Sequence, residues 1–82
     1  MPTLKELRAL QALTVADLAA AAGVGQSTIL AIESGRELPM QRTARKLAKA
    51  LDVPLLDIAE VARASAERWS QRRGGKKNAP AD

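Results

Sequence analysis

TVADLAAAAGVGQSTILAIESG, residues Thr14 to Gly35 of an 82-residue chain, is the stretch whose reading decides the fold. Thr14 followed three residues later by Asp17 is a helix-start signature, in its acidic form. The helix that begins at Val15 turns Leu18, Ala19 and Ala22 inward, and Gly23 ends it. Val24 plugs the angle that follows, and Gly25 stands at the N-cap of the next helix, where it supplies no side-chain acceptor. In that helix, Gln26 to Ser34, Ile29 and Ile32 are three apart and face the core. Gln26, Ser27, Leu30 and Ala31 are expected to point away from it. Gly35 is a stop signal. A glycine at the turn takes φ > 0 without a Cβ penalty, and the alanines from 19 to 22 allow close approach at a steep angle. Two short helices therefore meet across a tight turn.

Outward from this core the pattern stays helical. Leu4, Leu7 and Leu10 recur at a spacing of three, with Leu13 just after, and predict a helix over Thr3 to Gln11. Thr3 caps it, with Glu6 completing a capping box. After Gly35 the loop RELPMQ places Pro39 ahead of a helix from about Gln41 to Leu51. Its buried stripe is Ala44, Leu47, Ala48 and Leu51; Arg42, Arg45, Lys46 and Lys49 form the wet face. Asp52 breaks this helix, Val53 connects, and Pro54 is expected at the first position of a fifth helix. The spacing Leu55, Ile58, Ala62, Ser65 or Ala66, Trp69 carries the fifth helix about four turns, to Ser70 or beyond. RRGGKKNAPAD then is glycine-broken, charged and without a large apolar side chain, and Gly74 to Asp82 is predicted to be disordered. No period-two run supports a strand. The prediction is an all-α chain with residues 1–62 as one domain. Residues 63–73 extend the fifth helix with a possible dimerising role, and residues 74–82 form a basic tail.

The chain has no cysteine and no histidine, which removes disulfides, thiolate metal sites, Cys nucleophiles and His bases. Asp17 with Glu33, and Asp57 with Glu60, have ordinary cap and surface explanations, so no enzyme, cofactor or metal is expected. No apolar run is long enough to span a bilayer and the start lacks a signal-peptide core, so a cytoplasmic protein without a membrane partner is expected. The net charge of +4 is unevenly spread. Up to Ala62 seven bases balance seven acids; beyond it six bases face Glu67 and Asp82 alone. Five of the first seven bases fall between Arg36 and Lys49, a basic strip directly after the paired helices.

The order of these elements resembles the phage-repressor and Cro type of helix-turn-helix, the XRE family. The resemblance runs from Leu4 to about Ile58. It rests on Leu13-Thr14, Asp17-Leu18-Ala19, Gly23-Val24, Ser27-Thr28-Ile29, Ile32-Glu33-Ser34-Gly35-Arg36, Leu47 to Leu51, Val53 and Asp57-Ile58 together. It implies a lambda-repressor-like fold of five helices that binds double-stranded DNA with its third helix in the major groove. The first turn of that helix reaches furthest toward the bases. Gln26 is the leading base reader, suited to adenine; Ser27 and Thr28 are shorter readers, and Ala31 offers an apolar contact to a thymine methyl. Backbone amides near Val15, with Ser34 and Arg36, are expected on phosphates, and Arg42, Arg45 and Lys46 extend that grip. The resemblance also places Arg8 beside Glu33 as a buried ion pair that fixes helix orientation.

Val15, Leu30 and Ala31 depart from the family pattern, which usually has polar residues there, so the reading face is thin. Trp69, the one aromatic residue, is read as an anchor of a homodimer through Leu56, Val61, Ala62 and Trp69 in preference to an intramolecular dock. Two recognition helices would then match the half-sites of a palindrome, as in a repressor that associates with the nucleoid when bound. The alternatives are an antitoxin-like module that binds a protein partner and regulates its own operon, and a nonspecific architectural binder that uses the tail.

Overall fold

The computed structural model describes residues 1–69, and every regular element among them is helical. Thr3 and Thr14 start the first two helices as the capping signatures predict. The Glu6 amide donates to Thr3 Oγ1 at 3.1 Å and the Thr3 amide to Glu6 Oε1 at 2.8 Å. Thr14 and Asp17 make the same reciprocal pair at 3.0 Å in both directions. Helix α1 spans Leu4–Leu10, α2 Val15–Ala22, α3 Gln26–Glu33 and α4 Gln41–Leu51. A 3₁₀ turn Leu55–Asp57, helix α5 Ala59–Ala64 and a π-helical turn Ser65–Trp69 follow.

Helices α1 to α4 all end in the same way. Ala12, Gly23, Gly35 and Asp52 take positive φ of 56°, 72°, 83° and 58°. The next residue's amide reaches back to close the last turn: Leu13 to Arg8 O, Val24 to Ala19 O, Arg36 to Ala31 O and Val53 to Ala48 O, at 2.9 to 3.1 Å. This double reversal satisfies carbonyls that the helix ends would otherwise leave unpaired. Leu13, Val24 and Val53 then pack against the core, which makes the stop hydrophobic as well as hydrogen-bonded. Around Gly23 and Gly35 a Cβ would meet nothing within 4 Å, so the backbone angle rather than crowding favours glycine there.

One core gathers Leu4 and Leu7, Leu18, Ala19 and Ala22, Ile29 and Ile32, the predicted stripe of α4, and Ile58, Val61, Ala64 and Trp69. Leu10 is a correction to the predicted stripe: it is 79% exposed. A spacing of three drifts about 60° at each step on a 3.6-residue helix, so by Leu10 the apolar line has left the core. The exposed Gln11 that follows donates its Nε2 to Leu51 O at 2.7 Å, tying the end of α1 to the end of α4.

The carboxyl-terminal segment differs most from expectation. Pro54 precedes a single 3₁₀ turn, Ile58 is extended, and α5 starts only at Ala59. That break resets the helical phase, so the buried line is Ile58, Val61 and Ala64, where the sequence spacing had placed Ala62. The new start is fixed from a distance: the Ala59 amide donates to Pro2 O at 2.8 Å and the Leu4 amide to Glu60 Oε1 at 2.8 Å. Glu60, expected to be a plain surface acid, is thus a second acceptor for the first-turn amides of α1 that have no intrahelical partner. The part of the predicted helix past Trp69, and the predicted disorder of Gly74 to Asp82, lie outside the described residues.

Candidate nucleic-acid interface

The site is built on the crossing of α2 and α3, whose axes turn by 117° across Gly23-Val24-Gly25. Ile29 and Ile32 fix the inner side of α3 at no more than 2% exposure. At about 100° per residue, Ser27, Leu30 and Ser34 point away from that side and Gln26 flanks them at the first turn. All four are exposed. Thr28 is half-buried on the flank.

Ala31, which the same winding also turns outward, is not on the exposed surface. It is 8% exposed, because the chain reverses over it after Gly35 and the amides of Arg36 and Glu37 both donate to its carbonyl, at 2.9 and 3.2 Å. The expected methyl contact from Ala31 is therefore corrected. Leu30, 48% exposed and central on the outward side, is the apolar group that the surface presents.

The ends of the two helices set the charges around this face. The capping pair occupies the amides of Thr14 and Asp17, which leaves those of Val15 and Ala16 without an intrahelical acceptor. The Val15 side chain itself is half-buried and packs against the core, so any role of Val15 toward a phosphate belongs to its backbone. The Thr14 amide first, then its hydroxyl, hold the Asp17 carboxyl below its ordinary pKa of 3.8. At the other end of α3, Ser34 Oγ donates to Ala31 O and accepts from Arg36 Nε, both at 3.2 Å, so the two expected phosphate contacts sit together. Arg42, Arg45 and Lys46 are exposed on α4.

Beneath the face lies the ion pair. Arg8 Nε donates to Glu33 Oε2 at 2.8 Å and Nη2 to Oε1 at 3.1 Å, a two-pronged contact. Arg8 Nη1 also donates to Leu13 O at 2.9 Å, so one guanidinium links α1, the turn after it and α3. The side chains are 14% and 7% exposed. The hydrogen bond to Glu33 raises the Arg8 pKa above its usual value against the opposing desolvation, and the carboxylate's charge adds to it.

The expected dimer contacts divide. Val61 is fully buried and Trp69 is 6% exposed, both within their own chain's core, and Trp69 Nε1 donates to Pro39 O at 3.0 Å. These two are corrected to intramolecular anchors, because packing against the chain's own helices already removes them from water. Leu56 is 52% exposed and Ala62 half-buried. No group of three or more metal-ligating side chains converges among the described residues. No single helix among them is long and apolar enough to cross a membrane.

Two helices at a steep angle, held by a small-residue crossing, with the outward side of the second left exposed, define a helix-turn-helix domain. The family model described as helix-turn-helix matches residues 4–58. The chain belongs to that XRE-type family, one of DNA-binding transcription regulators. It is also similar to a protein of Methanocaldococcus jannaschii named as an uncharacterized HTH-type transcriptional regulator. The two are 47% identical over 55 residues, covering 67% of this chain and 83% of the relative. No solved structure gives a significant match.

Proposed function

We propose that this chain is a sequence-specific repressor that occupies double-stranded DNA with the first turn of α3 in the major groove. The observation that carries this is the outward side of α3, where Gln26, Ser27 and Leu30 stand exposed over a core fixed by Ile29 and Ile32. Gln26 presents an amide that pairs with adenine N6 and N7, and Leu30 presents the apolar surface that suits a thymine methyl. Ser27 and the half-buried Thr28 serve as shorter partners. The amides of Val15 and Ala16, the Ser34–Arg36 pair and the cations of α4 hold phosphates on either side, fixing register without reading sequence.

Two copies on a palindrome, one per half-site, give the repressor its operator symmetry. Their contact uses surface other than Val61 and Trp69, with Leu56 available to it. Selecting bound duplexes from a random pool tests the reading: an enriched palindrome supports both specificity and pairing, and no enrichment refutes specific recognition. Gln26→Ala is expected to lower discrimination at one base position by about 1 to 3 kcal/mol. Arg42→Ala is expected to weaken all sequences alike and reduce the salt slope by about one.

A further inference from the structure

The segment that follows the family match ends in an unusual winding. Along α5 the buried line runs Val61, Ala64, and a continuing α-helix would bring residue 68, an arginine, round to the same side next. The π turn takes up one extra residue, so Trp69 arrives in that place and Arg68 is carried outward. Both side chains then reach the same short stretch of backbone. Trp69 Nε1 donates to Pro39 O and Arg68 Nη1 to Leu38 O, each at 3.0 Å and each across 30 residues of sequence.

Leu38 and Pro39 lie in the connection between α3 and α4. The near end of that connection is fixed by the amides of Arg36 and Glu37 on Ala31 O. Its far end runs into Met40, which gives α4 no side-chain cap. We propose that Arg68 and Trp69 are positioning residues for DNA binding: they clamp the far end of this connection and so add to the bonds on Ala31 and Ser34 that hold Arg36 at the phosphate backbone. The inference rests on the DNA-binding reading and adds to it a role for residues outside the matched domain. Nothing else hydrogen-bonds the Leu38 and Pro39 carbonyls among the described residues, so releasing the clamp frees the backbone next to a cation that the interface needs in place.

The test uses the full chain with Trp69→Phe, which keeps an aromatic ring and removes its N–H, and Arg68→Ala, which alters an exposed side chain. Three quantities are measured: amide exchange at Arg36, Glu37 and Leu38, affinity for a duplex selected from a random pool, and the slope of log affinity against log salt. Each variant is expected to exchange faster at those amides and to bind about fivefold more weakly, the worth of one modest hydrogen bond. The salt slope should fall by up to about one, and base preference should stay as in the parent. If the parent binds DNA and both variants keep its exchange rates and salt slope, the clamp is refuted and DNA binding stands. A parent that binds no duplex refutes the functional reading and with it this role, whatever the exchange shows. Arg68→Ala keeps the test decisive if Trp69→Phe loses its fold.

Discussion

Helices α1 to α4 and the segment from Ala59 to Trp69 are held by opposite means. Each of the first four ends on its own backbone, with a left-handed residue and an amide that reaches back five positions. The last segment is held by groups far off in sequence: Pro2, Leu4, Leu38 and Pro39. A locally closed helix keeps its ends wherever it is packed. A helix held at long range takes its winding from its partners, and here the winding changes from α to π so that an indole rather than a guanidinium meets the core. The part that presents base-reading residues is of the first kind, and the part proposed to brace it is of the second.

Removing the indole should break the contrast most sharply. Trp69→Ala is expected to cost about 3 to 5 kcal/mol in urea unfolding, as for a large buried aromatic. A cost under about 0.5 kcal/mol is what a surface tryptophan would give. Glu33→Gln comes next, at about 3 kcal/mol, because it leaves the guanidinium of Arg8 mostly buried with a weaker partner. Glu37→Gln, on an exposed side chain, is the control; equal midpoints for the two variants would falsify the structural weight given to the ion pair. Glu60 is unsuitable for that purpose, since it accepts from the Leu4 amide.

A local stop can also be improved, which a long-range clamp does not allow so simply. Ala12 holds φ of 56° with a Cβ in the way, and Ala12→Gly is expected to gain about 0.5 to 1 kcal/mol in thermal unfolding. The smallest effect concerns pH. The folded pKa of Asp17 lies below its ordinary 3.8, so its contribution to stability is complete above that value and is lost as pH falls through the lower folded one. Acid titrations of the parent and Asp17→Asn should therefore converge below pH 3.8 and run parallel above it. A constant gap across that range would show that the carboxylate does not titrate with folding.

The same contrast explains what the sequence made legible. Thr3 with Glu6, Thr14 with Asp17, and Gly23 are local signals, and the helices they bound lie where they were expected. The buried stripe of α2 follows from a period that starts at a known cap, and that of α4 from the regular spacing of Ala44, Leu47, Ala48 and Leu51 alone. Leu10 leaves the predicted stripe because three-residue spacing drifts off a helix face. Ala31 is buried against expectation because what covers it is the following loop, which periodicity does not describe. Between Ile58 and Trp69, both of which the spacing put on the buried line, the phase of α5 could not be read from Leu55 onward, because its start is set by Pro2 and Leu4 and its end by Leu38 and Pro39. In the interface, Gln26 and Ser27 stand exposed, while the exchange of Ala31 for Leu30 needed the packed structure. The positive φ of Ala12 and Asp52 carried no glycine to announce it.

The bond from the Leu4 amide to Glu60 has a kinetic meaning as well. It joins residues 56 apart, so the chain between them must already be arranged before the contact forms. The four helix stops, by contrast, need only neighbours and are available on the time scale of a single turn. The α2–α3 pair is therefore expected to take shape early in folding. Docking the amino terminus on α5 comes late, and alterations at Glu60 should show mainly in the unfolding rate.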